Sequence, residues 1–203
     1  MYVAIAGNIG SGKTTLTTML AKHFAWTPLY EELDDNPYIS DFYADMRRWA
    51  FNLQIYFLHK RFANVINCYK NNKNIIQDRT LYEDAYIFAP NLYSMGLLSD
   101  KDYGTYLSLF NLMISLTPKP DLLIYLKASV PTLINLITKR GRAYESSIRL
   151  DYITSLNKRY EEWIESYEGK KLVIDVDTLN IIDNPKDLGV VIEKINAEIN
   201  GLF

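Results

Sequence analysis

With 203 residues, 48% of them hydrophobic and 23% charged, the chain has the length and composition of one folded globular domain, without the bias of a disordered or fibrous protein. A formal net charge of -2 excludes a strongly basic surface of the kind that grips nucleic-acid polymers or membranes, so any positive charge with a role must be local. A single cysteine, Cys68, rules out an internal disulfide, no apolar run approaches the roughly 18 residues of a spanning helix, and the first residues lack a leader pattern, so the expectation is a cytoplasmic protein.

The first expected strand, YVAIA at 2–6, runs into GNIGSGKT, Gly7 to Thr14, ahead of a helical pattern over 13–25. This fits G-x-x-x-x-G-K-[ST] in the strand-to-helix context that the motif requires. Gly7, Asn8, Ile9, Gly10, Ser11, Gly12, Lys13, Thr14 and Thr15 are therefore the expected phosphate cradle, with converging backbone N–H groups, a lysine point charge and a Thr14 hydroxyl within reach of Mg²⁺. A second strand, TPLYEE at 27–32, ends in Glu31 and Glu32; either carboxylate could take a proton from an acceptor hydroxyl, or both could be a solvated strand end.

Residues 45–70 are apolar at helical spacing and carry Gln54 and Arg61 on one face, where an amide that both donates and accepts suits the edge of a nucleobase. The third strand, NIIQDR at 74–79, closes on Asp78, Arg79 and Thr80 beside the cradle, an acid able to hold Mg²⁺ and an arginine able to touch phosphate. Helical patterns at 84–94, with Asp84 and Phe88 on one face, and at 100–116 lead to a fourth strand, DLLIYLKAS at 121–129. Pro131 suits a first helical turn; beyond it TKRGRAYE at 138–145 gathers Lys139, Arg140 and Arg142 around Gly141, the composition of a phosphate-covering flap. A helix over 151–168 and a strand, LVIDVD at 172–177, follow.

The βαβα alternation implies an α/β fold, a five-stranded parallel sheet with helices on both faces and ligands at the carboxyl ends of the strands, in a single domain over residues 1–203. No N-K-x-D occurs, which argues against a GTPase, and the acid in IIQDRT is followed at once by arginine, unlike the acidic strand of motor and transport ATPases. A small kinase fits best. A monophosphate kinase of the thymidylate kinase type would need basic residues where the second strand ends in acids. A non-catalytic switch would bind without transfer, against which Lys13, Glu31, Asp78 and Arg140 speak. Neither His23 nor His59 has a metal-ligand spacing.

Taken together, GNIGSGKTT, YEELDDNPY, RRWAFNLQIYFLHKRF, DRTLYEDAYIFAPNLY, KRGRAYE and LDYITSLNKRYEEW resemble the deoxynucleoside kinases of the deoxycytidine and deoxyguanosine kinase type, particularly the short bacterial enzymes for deoxyadenosine and deoxyguanosine. The resemblance implies a P-loop kinase that transfers the γ-phosphoryl of ATP, with Mg²⁺, to a deoxynucleoside 5′-hydroxyl in nucleotide salvage. It makes Glu31 the general base, Gln54 the reader of the base edge, Arg61 and Asp84 a base-discriminating pair, and Phe88 the stacking ring. Tyr43 and Asp151 would hold the 3′-hydroxyl, Arg79 would stand near the reacting phosphate, Asp78 would bind magnesium, and Arg140 and Arg142 would be the flap arginines. It further implies a homodimer through parts of 45–70 and 100–116, and feedback by a deoxynucleoside triphosphate spanning both subsites. The chain departs from the family pattern at Glu32, where proline is usual, at Asp78 and Thr80, where many relatives have glutamate and serine, at Asp151, shorter than a glutamate, and at Leu136, where some carry arginine.

Overall fold

β1, Tyr2–Gly7, is buried along its whole length, as its unbroken apolar composition requires, and forms the centre of five parallel strands in the order β2-β3-β1-β4-β5. The computed structural model describes residues 1–201 except 32, 34, 72, 182 and 183, and except the side chain of 146. Glu32, one of the two candidate acids, thus lies outside the described residues.

β2 spans Thr27–Leu29, β3 Ile75–Asp78, β4 Leu122–Lys127 and β5 Lys171–Asp175. β1 pairs Val3 with Ile76 on one side and with Leu122 on the other. The strand expected over 27–32 is only three residues long, and it is an edge strand; there Pro28 removes no donor that a second neighbour needs.

Alternation along β1 and β4 divides the interior in two. Ala4, Ala6, Leu123 and Tyr125 face the layer built from α3 (Met46–Lys70), α5 (Ala89–Ser94), α6 (Asp100–Ile114) and α8 (Leu150–Ser166). Val3, Ile5, Leu122 and Ile124 face α1 (Lys13–Phe24), through Leu16 and Leu20, and α9 (Pro185–Asn200), through Val191 and Ile195. Helices thus cover both faces. None among the described residues is long and apolar enough to cross a membrane.

Two helices stand where the sequence pattern had given none. α2, Ile39–Ala44, is a single short turn-and-a-half, and α9 follows Pro185 at its first turn with Asn184 as cap. The helix expected over 84–94 is interrupted: α4, Leu81–Glu83, leads into a π-helical turn at Asp84–Phe88 before α5. π-turns inside helices mark functional sites, and this one carries two candidate acceptor residues.

Candidate active site

The turn after β1 is shaped by glycines. Gly10 and Gly12 have φ of 86° and 90°, the left-handed region that other residues enter at a cost. A Cβ on Gly10 would come 2.6 Å from the Ile137 side chain, so that position also serves close packing, whereas around Gly12 there is nothing within 4 Å. α1 begins immediately at Lys13, so its free N–H groups converge on the same opening. The Lys13 ammonium is buried and donates to the Asn8 carbonyl at 2.9 Å; burial and the neighbouring Arg79 lower its pKa to about 8. Asn8 is turned inward, donating to the Ile153 carbonyl and to Asn157. Ile9 to Thr15 line the cavity, and Gly7 and Asn8 do not.

At the end of β3 the Thr14 hydroxyl donates to Asp78 Oδ2 at 2.5 Å. Asp78 Oδ1 is buried without a hydrogen-bond partner, and burial raises the carboxyl's pKa. Arg79 follows with a left-handed backbone, φ 67°, which aims its side chain back across the strand ends. There its Nε lies 3.2 Å from Glu31 and its guanidinium covers the Phe88 ring at 4.5 Å.

Glu31 sits between two arginines, paired with Arg79 and accepting from Arg61 Nη2 at 2.5 Å. Burial alone would raise its pKa, but Arg79, Arg61 and Lys13 together bring it down to about 2. The other end of Arg61 donates to Asp84, whose carboxyl is pushed up to about 7 by burial against the pull of that arginine. Gln54 lies on the same face of α3, one cavity wall, with its Oε1 buried and unpartnered. Phe57 packs under Arg61 at 4.6 Å.

The flap forms the opposite wall. α7, Val130–Arg140, ends on Gly141 at φ 69°, and a 3₁₀ turn follows at Ala143–Ser147. Arg140 donates through Nε to Glu145 at 3.1 Å and through a second, shorter bond, while Arg142 lies 3.6 Å from the same carboxylate. Glu145 is only 5% exposed and lines the cavity. Tyr144 of this turn stacks on Tyr43 of α2, ring centroids 5.8 Å apart, and burial raises the Tyr43 hydroxyl well above its ordinary pKa.

These walls enclose one cavity of about 700 Å³, running from the glycine turn past Glu31 to Gln54 and Phe88, with the segment after β5, Val176 to Ile181, also lining it. A family model described as "Deoxynucleoside kinase" matches residues 3–200. The chain belongs to the deoxynucleoside kinase family. Among its relatives are a deoxyadenosine/deoxycytidine kinase of Bacillus subtilis, 36% identical over 98% of this chain and 93% of its own, and a deoxyguanosine kinase of Lactobacillus acidophilus, 37% identical over 95% and 88%. A solved deoxyadenosine kinase from M. mycoides with bound dATP superposes with a TM-score of 0.84 at 33% identity, covering 97% of this chain and 100% of the other.

This kinase, then, is a phosphotransferase acting on deoxynucleosides, and its cavity unites all but one of the expected side chains of the acceptor half. Glu31, Tyr43, Gln54, Arg61, Arg79, Asp84 and Phe88 line it together with Arg140 and Arg142. Asp151 does not join them: at the first turn of α8 its side chain is 54% exposed and bonded to Arg149. Glu145, six residues earlier, does line the cavity, an acid that the sequence hid inside a segment read for its basic charge. Its spacing from Arg140 and Arg142 was the available signal. Glu83 and Tyr160, buried against Arg79, also escaped notice.

Proposed function

We propose that this kinase transfers the γ-phosphoryl of ATP to the 5′-hydroxyl of deoxyadenosine in preference to other deoxynucleosides, with deoxyguanosine and deoxycytidine as secondary acceptors. The observation that carries the reading is the continuity of one cavity from the glycine turn to Gln54, with Glu31 midway between. Glu31 accepts the hydroxyl proton, and its depressed basicity means that it does so late, as charge develops on the attacking oxygen. Arg79, Lys13 and the flap arginines surround the spread negative charge of the transferring group.

Base choice rests on Gln54. Its buried, unpartnered Oε1 suits an exocyclic amine, which adenine and cytosine carry and thymine lacks, and the Arg61–Asp84 pair supplies both a donor and an acceptor beside it. Tyr43 and Glu145 hold the sugar hydroxyl, Glu145 taking the part that the resemblance gave to Asp151. Magnesium fits Thr14 and Asp78: the orphaned Asp78 Oδ1 needs a partner, and a phosphate-bound Mg²⁺ takes one or two protein ligands and completes its shell with water. Bound there it would neutralise donor phosphate oxygens.

We read residues 1–203 as one domain, cytoplasmic, and homodimeric in solution. Leu112 in the last turn of α6 and Leu116 just beyond it, both more than 60% exposed, with half-exposed Tyr86 packed on Phe110 of the same helix, supply apolar surface for a second copy. A deoxynucleoside triphosphate would span both halves of the cavity as a feedback inhibitor; inhibition competitive with neither substrate would contradict this. The deciding experiment is a competition assay with all four deoxynucleosides, ATP and magnesium. Deoxyadenosine should be consumed first, and a strong preference for thymidine would overturn the base reading.

A further inference from the structure

Behind Arg79, away from the cavity, lies a buried acid with no role in the chemistry above. Glu83 is wholly buried, and its carboxylate accepts hydrogen bonds from several elements. The Gly7 N–H of the glycine turn reaches Oε1 at 3.2 Å, and the Thr80 N–H reaches Oε2 at 2.7 Å. The Tyr160 hydroxyl, from α8, donates to Oε1 at 2.9 Å and accepts from Arg79 Nη1 at 2.5 Å, while Arg79 itself stands 3.5 Å from the carboxylate. Arg79 Nε meanwhile is 3.2 Å from Glu31. An unbroken chain of contacts therefore runs from the glycine turn through Glu83 and Tyr160 to Arg79 and on to Glu31.

A helix cap alone does not explain this. Thr80 and Glu83 form a capping box that accounts for one carboxylate oxygen. The other is committed to Gly7, Tyr160 and Arg79, on three different elements. Burying an acid this completely is tolerable only where its donors are fixed, and the same fixity holds the donors.

We propose that Glu83 and Tyr160 are positioning residues of the transfer reaction: they fix the Arg79 guanidinium against Glu31 and set the distance between the glycine turn and the acceptor pocket. Neither touches substrate; both act through Arg79. The inference rests on the kinase reading of the cavity.

The test is a double-mutant cycle on steady-state transfer from ATP to deoxyadenosine. Tyr160→Phe keeps the ring and removes only the bridging hydroxyl. It should lower kcat by about tenfold to a hundredfold, the worth of a hydrogen bond to a charged group, with KM for deoxyadenosine changed less than about twofold. In an Arg79→Lys background the same change should cost almost nothing further, because the group it positions is gone. Glu83→Gln, which cannot accept on both sides, should lower kcat at least as far. Tyr125→Phe removes a neighbouring hydroxyl that donates to Glu161 at 3.1 Å and does not meet Arg79, so it should lose stability without losing kcat. Unchanged turnover in Tyr160→Phe, or an equal cost in both backgrounds, overturns the positioning role while leaving the kinase reading intact. A wild-type chain that transfers nothing to any deoxynucleoside overturns both.

Discussion

Arg61 donates to Glu31 at 2.5 Å with one guanidinium nitrogen and to Asp84 with another, so the proposed proton acceptor and the proposed base-reading acid share one counter-ion. Removing that arginine takes the direct counter-ion from buried Asp84 and leaves Glu31 with Arg79 alone. Arg61→Ala should therefore cost stability on the order of 3–5 kcal/mol, measured by denaturant unfolding, whereas Asp84→Asn, which leaves Arg61 paired to Glu31, should cost less and show itself in the ranking of the four deoxynucleosides.

Glu31→Gln should reduce kcat by a factor on the order of 10² to 10⁴ with little change in acceptor KM, since it removes a proton acceptor and keeps the shape. Retention of wild-type turnover would exclude Glu31 as the base.

The carboxyl of Glu31, brought from 4.5 to about 2 in the folded protein, also fixes an acid limb. A depressed carboxyl binds fewer protons folded than unfolded, so its contribution to stability is complete above 4.5 and is lost as pH falls toward about 2. Unfolding midpoints measured across that window should fall more steeply for the wild type than for Glu31→Gln.

Lys13 gives the alkaline counterpart. Its ammonium, at about 8 against an ordinary 10.5, loses its proton early in the free enzyme, so KM for ATP should rise as pH climbs past about 8. Between those two values the unfolded chain binds more protons, so this group, like Glu31 in its own window, makes the free protein more stable with rising pH. Lys13→Arg, whose charge persists, should abolish the pH-dependent rise in KM whatever its absolute affinity.

Glu145 and Asp151 can be separated directly. Glu145→Gln should lower kcat/KM for the deoxynucleoside by about tenfold to a hundredfold, the scale of one charged hydrogen bond, while Asp151→Asn should leave it within about twofold. The reverse result would return the sugar contact to Asp151.

Much of this site was legible in the sequence because local spacing encodes it. The glycine turn is a contiguous motif, and Gln54 and Arg61 share a helix face by periodicity alone. β1 and β4 were equally plain, being continuous apolar runs. What stayed hidden depends on tertiary geometry. The π-turn that carries Asp84 and Phe88 follows no period of 3.6, although their four-residue spacing had marked both residues, and Glu83 gains its meaning only from Gly7 and Tyr160, at 76 and 77 residues' separation. Glu145 was obscured by the positive residues around it, and α9 by its place after the last strand. The choice of Glu31 over Glu32 came from resemblance; the structure adds two arginines at Glu31 and leaves Glu32 outside the described residues.

The left-handed backbone at Arg79 has a consequence for how this chain can be improved. A non-glycine residue there carries strain of about 1–2 kcal/mol, but Arg79→Gly, which releases it, would strip the buried Glu31 and Glu83 of a counter-ion and cost more stability than it relieves. The same change would erase the guanidinium that sits between Phe88, Tyr160 and Glu31. Glycine, the residue that this backbone favours, should therefore lower robustness and turnover together at position 79, and the strained arginine is held in place by both.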